Sequence, residues 1–297
     1  MFNLTLLSYI LLTINNNNSI KTNNYMKILK HDHQSYNVVV NKYINLTEQE
    51  FGKQVKKGCY NNIEEFPSFP SCKKFIPKTY KLPESIDWRD HEAVTSVKDQ
   101  GNCGSCWSFS ATGAIESAWA IQTDQLIDLS EQQIMDCSKR IGGGCSGGMM
   151  DTAFQYAIQF GVCSEKGDPY EAKSEICDKS CKKVVHISNC ADVTPNNQLD
   201  LKAAVAMGPV SVAIEADTRI FQFYSDGVIT DHSCGTNLDH GVLIVGYGIE
   251  NGISYWLVKN SWGSDWGEEG YVKIGRSNST NDPGICGIAM KPSLPIV

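Results

Sequence analysis

The sequence predicts an α+β fold in which a helical half precedes a sheet. An apolar repeat predicts a long helix from Cys106 to about Gln122, with apolar positions at Trp107, Phe109, Ala114, Ile115 and Ala118. Shorter helices are expected over 130–136 and 151–160. From about Pro209 the pattern changes to Val, Ile and aromatic runs broken by glycine, which is typical of strands. The second half should therefore be a strongly bent antiparallel sheet or a barrel.

Each of these elements has a local reason in the sequence. The small residues Gly104 and Ser105 precede the long helix. Ser130 is a suitable N-cap for the second helix, and Gln133, three residues later, would complete a capping box. The expected strands read PVSVAIEA, GVLIVGYG, SYWLVKNSW and GYVKIGR, at 209–216, 241–248, 254–262 and 270–276.

Charge is distributed unevenly along the 297 residues. Residues 1–81 carry 11 Lys and Arg against 5 Asp and Glu, a net charge of +6, whereas residues 82–297 carry 15 against 28, a net charge of −13. A basic leader before an acidic body is either a solvated surface or a segment held by electrostatic attraction, which acid weakens by protonating carboxylates. Because the basic residues are scattered and the body is acidic, nucleic-acid binding is not expected.

The leader begins with an apolar stretch, residues 1–14, that has the length of a signal peptide. It lacks the usual basic start and small-residue cleavage site, and a short buried helix is the alternative. Residues 66–83 are rich in Pro, Ser and Lys, which suits an exposed, cleavable linker. No apolar stretch reaches the roughly 18–20 residues of a membrane span, so none is expected.

Twelve cysteines indicate an oxidising compartment or its lysosomal continuation. Cys59 and Cys72 lie in the leader and the other ten in the body. If Cys106 serves as a nucleophile, nine remain in the body, and one of them lacks a partner unless a leader cysteine reaches it. The residues themselves do not place Cys163 and Cys190. Zinc binding by a Cys-x-x-Cys pair is an alternative, but no second pair has the usual spacing.

Cys106 lies at the first turn of the predicted long helix, in the segment QGNCGSCWSFS at 100–110. A helix N-terminus favours the nucleophilic thiolate, although a cysteine in a cysteine-rich chain is more often half of a disulfide or a buried thiol. His240 follows in NLDHGVLIVGYG and Asn260 in WLVKNSWGSDWG. With these three motifs in this order and spacing, residues 82–297 resemble the papain-like cysteine proteases, most closely their cathepsin L-like branch.

The resemblance implies a papain-like two-domain fold with the active-site cleft between the domains. The helical left domain would cover about residues 92–195 and the antiparallel, β-barrel-like right domain about 196–297. Residues 15–81 would be an inhibitory prosegment, shortened at its N-terminus, so that the protein is made as a zymogen. We expect its cleavage close to Tyr80–Leu82, where the sequence resembles a mature N-terminus.

The resemblance also implies a role for each catalytic residue. Cys106 would attack the peptide carbonyl, and His240 would hold its proton and then pass it to the leaving amine. Asn260 would orient the imidazole, under the cover of Trp262. The oxyanion would be bound by the Gln100 side chain and the Cys106 backbone N–H. The implied activity is that of a cysteine endopeptidase forming an acyl-enzyme, without a cofactor or metal.

The implied substrate cleft combines exposed backbone with an apolar pocket. Its expected contact residues are Gly104, Gly147, Gly148, Met149, Met150, Ala213, Leu238, Asp239, Trp266 and Lys291. Lys291 lies where relatives carry a small, apolar or acidic residue at the base of the pocket, and we expect an apolar pocket with some acidic tolerance. The segment between Cys137 and Cys145 is too short for the occluding loop of cathepsin B, which implies an open cleft.

Further expectations rest on the same resemblance. The implied disulfides are Cys103–Cys145, Cys137 with Cys177 or Cys181, and Cys234–Cys286. The prosegment motif falls on Val39, Asn41, Tyr43 and Asn45, of which Asn41 matches and Tyr43 is conservative, and Asn16, Ile20 and Asn24 keep the final spacing of the prosegment helix motif. The partners would be peptide substrates, the protein's own prosegment and cystatin-like inhibitors, with a monomeric mature form in a lysosome-like acidic compartment or outside the cell. Asn45 and Asn278 begin possible glycosylation triplets. A silent relative that only binds or inhibits is the alternative function, and it would be favoured by loss of Cys106, His240 or Gln100.

Overall fold

The computed structural model describes residues 20–21, 23–24, 27, 35–55, 72–77, 81–138 and 143–297. The expected signal segment, Cys59 and most of the expected cleavage region lie outside these residues. In the part that is described, no helix combines the length and the apolar character needed to cross a membrane.

Helices dominate the first half of the body. The leader contains α1 (Glu48–Val55), and the helical half contains α2 (Cys106–Thr123), α3 (Glu131–Cys137) and α4 (Met150–Phe160). Two further helices, α5 (Gln198–Val205) and α6 (Arg219–Phe223), lie in the β half. The three expected helices of the body are present, whereas the pattern gave no indication of α5 and α6.

Helix α2 is buried almost all round. Every side chain from Cys106 to Ser117 is buried, because α2 packs against α3, α4 and the sheet. The apolar repeat in the sequence therefore understates how much of this helix is enclosed. Such a helix cannot be displaced without opening the centre of the molecule, so its first residue is held firmly.

The start of α3 differs from its expected form. Ser130 is the N-cap, and its Oγ accepts a hydrogen bond from the Gln133 backbone N–H at 2.9 Å. The Gln133 side chain, however, donates to Tyr156 Oη at 3.0 Å and accepts from the Cys163 N–H at 2.7 Å. The predicted capping box is therefore wrong in its second half, because tertiary partners replace the local one.

One large sheet forms the β half. The strands are β1 (Tyr36–Val38), β2 (Lys73–Lys74), β3 (Ile86–Asp87), β4 (Val162–Cys163), β5 (Lys183–Val185), β6 (Asn189–Asp192), β7 (Val210–Ile214), β8 (Tyr224–Ile229), β9 (His240–Glu250), β10 (Ile253–Lys259), β11 (Tyr271–Gly275) and β12 (Ser293–Ile296). The sheet order is β1-β8-β11-β10-β9-β7-β12-β6-β2, with β3 also on β9, while β4 and β5 pair separately. Its pairs are antiparallel except β8–β11 and β2–β6. Since no pairing joins β1 to β2 among the described strands, the sheet is open rather than a closed barrel.

Two apolar cores flank the boundary between the halves. One lies within the β half and includes Phe221, Trp256 and Trp266. The other surrounds α2 and draws Ala213 and Leu243 from the sheet. Residues of the sheet therefore contribute to both cores, which ties the helical half to the β half.

The described residues contain five disulfides. These are Cys103–Cys145, Cys137–Cys177, Cys234–Cys286, Cys163–Cys181 and Cys72–Cys190. Three of them are pairs that the resemblance implies, with Cys177 as the partner of Cys137. The pair Cys72–Cys190 is the case in which a leader cysteine reaches the body. Because Cys103 is bonded to Cys145, it offers no thiolate to a zinc ion, and Cys106 lies outside all five disulfides.

The leader packs on the β half through its best-matching motif positions. Asn41 Nδ2 donates to Gln222 O at 2.7 Å, and the Tyr43 side chain is buried. The side chains of Val39 and Asn45, which depart from the motif, are exposed. The leader therefore keeps the positions that contact the body and varies those that face solvent.

Asn24 connects separate parts of the leader with the body. Its Nδ2 donates to Ile44 O at 2.8 Å and to Leu46 O at 2.9 Å. Its Oδ1 accepts from Arg219 Nη1 at 2.9 Å. Because Asn24 is buried, these bonds satisfy an amide that would otherwise be costly to enclose.

Candidate active site

Cys106 begins helix α2 and lies where that helix meets the start of β9. Its side chain is fully buried, and its Sγ accepts a hydrogen bond from the Gly241 N–H at 3.2 Å. Ser110, one turn further along α2, donates to Val242 O at 2.7 Å. These contacts hold the helix start against the strand that carries His240. The positive end of the helix dipole therefore lies at the sulfur.

His240 is oriented by Asn260, which follows strand β10. The His240 Nε2 lies 2.7 Å from Asn260 Oδ1. That same Oδ1 accepts the Ser261 N–H at 2.8 Å, which identifies it as the carbonyl oxygen. Nε2 must therefore donate to Asn260. The other ring nitrogen, Nδ1, is then the one that can exchange a proton with Cys106.

The environment of His240 favours its cationic form. Burial opposes the charge, but the charge of Cys106 and hydrogen bonding to it raise the pKa of His240 above its ordinary value. The hydrogen bond to Asn260 and the charge of Asp239 act in the same direction. An imidazolium beside a thiol favours the thiolate, so the arrangement supports a thiolate–imidazolium pair.

Gln100 is held in place by contacts with both halves of the body. Its Nε2 donates to Cys103 O at 3.0 Å, and its Oε1 accepts from Ser261 Oγ at 2.6 Å. Its backbone N–H also donates to Ser261 O at 2.8 Å. A primary amide carries two N–H donors, so the bond to Cys103 leaves one for an oxyanion.

Trp262 covers the hydrogen bond between His240 and Asn260. Its ring centre lies 4.7 Å from that of His240, and the side chain is 5% exposed. Trp266 lies behind it, fully buried, with Nε1 donating to Phe221 O at 2.8 Å. The expectation that Trp266 contacts substrate is therefore corrected. It supports the Trp262 ring, at 5.0 Å between ring centres.

The three glycines expected to contact substrate, Gly104, Gly147 and Gly148, lie in the helical half. Gly104 N–H donates to Cys145 O at 2.9 Å. Gly147 has a φ of +110°, which favours glycine. A Cβ at Gly148 would lie 2.4 Å from the Trp107 ring, so this glycine is required by packing as well as by any substrate approach.

The apolar residues expected in the specificity pocket belong to one cluster. Met150 begins α4, Ala213 lies on β7, and both are buried in the core around α2. Leu238 packs against the same core and is partly buried. Met149 is the N-cap of α4 and is partly exposed. The fold therefore brings residues from three distant segments to one place.

Asp239 precedes the histidine and is itself buried. Its Oδ1 accepts from the Ala216 N–H at 2.8 Å, and its N–H donates to Ile214 O at 2.9 Å. Burial raises the pKa of Asp239, while the bond from Ala216 opposes that rise. These bonds anchor the start of β9 and hence the position of His240.

Lys291 is exposed and lies near two carboxylates. Burial raises the pKa of Asp192 to about 6; the charge of Asp151 adds to this rise and that of Lys291 opposes it. Burial also raises the pKa of Asp151, again opposed by Lys291. The lysine charge is therefore partly balanced and remains in solvent.

Two residues that hold Gln100 in place, Ser261 and Tyr170, were not among the residues predicted from the sequence. Ser261 holds Gln100, and its place beside Asn260 in the NSWG motif was a usable signal. Tyr170 Oη donates to Gln100 O at 2.8 Å and is bonded to Ser105 Oγ at 2.5 Å. Nothing in the local sequence indicates that role for Tyr170, because its two partners lie 70 and 65 positions earlier in the chain.

A buried charge cluster lies beneath the site. Lys98 Nζ contacts Glu131 at 2.8 Å and Glu116 at 3.5 Å. Thr95 Oγ1 donates to Glu116 at 2.6 Å, and its backbone oxygen accepts from Lys259 Nζ at 2.8 Å. Burial raises the pKa of Glu131, and Lys98 opposes that rise. Because Lys259 adjoins Asn260, the cluster connects the helical wall with the strand that orients the histidine.

The comparisons with known proteins agree on one family. Residues 82–296 match the model described as papain family cysteine protease. A relative named probable cysteine protease RD21B, from Arabidopsis thaliana, is 53% identical over 72% of this chain and 47% of its own length. The chain thus spans about half the length of that relative. A cathepsin L-like peptidase of Aedes aegypti is 44% identical over 94% of this chain and 86% of its own length. The structure of digestive procathepsin L 3 of Tenebrio molitor larval midgut has a TM-score of 0.83 and 41% identity, over 94% of this chain and 90% of that one.

Proposed function

Since the chain belongs to the papain family of cysteine proteases, we propose that it is a cysteine endopeptidase made as a zymogen. One observation carries the proposal: the buried Cys106 at a helix start faces a histidine whose other nitrogen is bonded to Asn260. The Gln100 side-chain amide donates to Cys103 O and keeps a second N–H for the oxyanion. Loss of Cys106, His240 or Gln100 would favour the silent alternative, and all three residues are present.

The mechanism follows from the positions of these groups. The Cys106 thiolate attacks the peptide carbonyl carbon, and Gln100 Nε2 with the Cys106 N–H binds the resulting oxyanion. The His240 imidazolium gives its proton to the leaving amine, which releases the first product and leaves an acyl-enzyme. Neutral His240 then takes a proton from water, whose oxygen attacks the thioester. The resulting tetrahedral intermediate collapses by breaking its carbon–sulfur bond, which releases the carboxylic acid product and leaves the thiolate beside the imidazolium.

The leader is proposed to hold the enzyme inactive. Tyr43 and Phe51 meet the Trp262 ring edge-on, at 6.0 and 5.7 Å between ring centres. Lys42 Nζ donates to Trp262 O at 2.6 Å and contacts Asp265 at 3.0 Å. A cavity of about 360 Å³ remains between leader and body and is lined partly by Gln100. The leader thus contacts the ring that covers the hydrogen bond between His240 and Asn260.

Specificity is proposed to depend on the apolar pocket formed by Met150, Ala213 and Leu238. Because Lys291 is exposed and its charge is partly balanced by Asp151 and Asp192, it should add only some tolerance of acidic side chains to an apolar pocket. A library of fluorogenic peptides varied two residues before the cut tests this directly. We expect apolar residues to lead, with acidic residues ahead of basic ones, and a preference for Arg would contradict the assignment.

The same proposal extends to location and partners. An oxidising route that ends in a lysosome-like acidic compartment or outside the cell suits the five disulfides. Cystatin-like inhibitors are proposed partners because the cleft would accept an extended chain or wedge. We propose that the processed enzyme acts as a monomer.

The decisive test is covalent labelling of the sulfur. The full chain is processed at acidic pH and treated with an epoxide thiol inhibitor, and the Cys106→Ser chain is treated identically. One label on the processed wild type, none on the variant and little on the unprocessed chain is the expected result. Processed wild type that neither takes the label nor hydrolyses peptides would overturn the proposed activity.

A further inference from the structure

A disulfide connects the leader to the body at a point far from the leader's other contacts. Cys72 is bonded to Cys190, 118 residues later in the chain. Cys190 is fully buried and Cys72 is 8% exposed. The bond is therefore enclosed rather than lying on the surface.

The residues after Cys72 are also built into the sheet. Strand β2 pairs in parallel with β6, with Lys73 opposite Ala191. The Phe75 N–H donates to Asp192 O at 2.8 Å, and the Phe75 side chain is buried in the core of the β half. A linker that is discarded on activation needs none of these contacts. Residues 72–77 have the contacts of a permanent edge strand.

We propose that residues 72–77 stay on the enzyme after maturation, as a disulfide-held edge strand that covers β6. This inference rests on the proposed maturation of the leader. A cut before Cys72 would make the strand the start of the mature chain. A cut at 78–81 would give a two-chain enzyme whose short chain is held by the disulfide. In both cases β6 is never left as an open sheet edge.

The retained strand would also alter the surface near the proposed specificity pocket. The Cys72 sulfur and the carboxylates of Asp151 and Asp192 lie within 4.8 Å of one another, and Asp151 directly follows Met150. Lys73 and Lys74 are exposed on β2. The leader thus adds two cationic side chains close to a pair of carboxylates in the body.

Release of the strand would need a reductant as well as a protease. A dithiol supplies two electrons and two protons, becomes a disulfide itself, and returns Cys72 and Cys190 to thiols. Proteolysis alone cuts the backbone but leaves the sulfur–sulfur bond. Retention should therefore be lost only when both reactions have occurred.

The test is peptide mapping of the processed wild-type protein without reduction, after blocking of thiols. The expected result is a cross-linked peptide that contains Cys72 and Cys190, and that separates when a dithiol is added. A mature protein that begins near Leu82, lacks residues 72–77 and carries an alkylatable Cys190 would overturn the proposal.

Two variants and one inactive chain sharpen the result. After a cut at 78–81, Cys72→Ser should lose the strand without reduction; after a cut before Cys72, it should keep the strand and lose only the cross-link. In both cases the variant should melt about 5 °C or more below wild type. Cys59→Ser is the matched control and should keep the cross-link; its loss there instead would contradict the assignment. The Cys106→Ser chain, cut by added trypsin, should show the same Cys72–Cys190 cross-link. That readout does not depend on peptidase activity, so it separates failure of this inference from failure of the proposed function.

Discussion

The two walls of the proposed cleft, the helical half and the sheet, hold their proposed catalytic groups in different ways. On the helical wall, Cys106 is fixed by backbone geometry, because it is the first residue of a helix whose side chains are all buried from Cys106 to Ser117. On the sheet wall, His240 is fixed by side chains, namely the Asn260 hydrogen bond and the Trp262 ring. The nucleophile is therefore positioned by local structure, and its base by tertiary contacts.

This difference indicates where the site tolerates change. A helix start is maintained by every packed residue of α2, so no single contact is critical. The imidazole depends on a few specific bonds, and Asn260 is connected through Lys259 to the buried charges of Lys98 and Glu116. Substitutions on the sheet wall should therefore change the pH dependence, whereas those on the helical wall should change the rate at every pH.

The largest expected effect comes from removing the base. His240→Ala should lower kcat/KM about 10⁴-fold, because the same ring moves the proton and stabilises the thiolate. Alkylation of Cys106 by iodoacetamide, followed against pH, should shift to higher pH in the variant. The fraction of Cys106 that is still thiolate near neutral pH in His240→Ala measures how far the helix N-terminus alone stabilises the thiolate. His232→Ala, an exposed histidine, should leave both measurements unchanged, and an unshifted alkylation profile in His240→Ala would refute the paired arrangement.

Removing the oxyanion donor should have the next largest effect. Gln100→Ala should reduce kcat about 10²–10³-fold with little change in KM, because the lost bond is made mainly in the transition state. Steady-state kinetics across the pH range should show the same loss throughout. The neighbouring exposed Asn102→Ala is the control. A rise in KM at constant kcat would show that Gln100 only binds substrate.

Asn260→Ala should move the alkaline limb of the pH profile. The Asn260 bond helps to raise the pKa of His240, so its removal lowers that pKa and the imidazolium is lost at lower pH. Hydrogen bonds to charged groups are stronger than those between neutral groups, so the downward move of the limb should be resolved. The check is kcat/KM against pH, with the exposed Asn281→Ala as the control. An alkaline limb that stays in place, or moves upward, would contradict this role.

The smallest expected effect is on the helical wall. Tyr170→Phe removes the hydroxyl that joins Gln100 O and Ser105 Oγ, and should lower kcat by about tenfold or less, since each such bond contributes about 1 kcal/mol. Tyr170→Ala should lose more, because the ring also packs on Phe109. Thermal melting and kcat measured together separate the two. Equal loss in both variants would show that the hydroxyl is the whole contribution.

Sequence patterns predicted the elements that depend on local periodicity. The sequence predicted two helices, α2 and α4, to within a few residues. It also predicted four strands of the sheet: β7, β9, β10 and β11. The capping box at Ser130 failed because Gln133 found partners on Tyr156 and Cys163 that no local pattern reveals. The role of Trp266 failed for a similar reason, since burial behind Trp262 is a property of the packed core.

The sequence by itself determined the family, the fold class and the order of the catalytic motifs, because those depend on residue types at set spacings. Only the tertiary structure decided which nitrogen of His240 faces Cys106, how Tyr170 and Ser261 hold Gln100, and that Cys72 reaches Cys190. Such contacts join residues far apart in the chain, and their partners are selected by packing. A linear pattern carries the chemistry of each residue, but it does not record which distant residue it will meet.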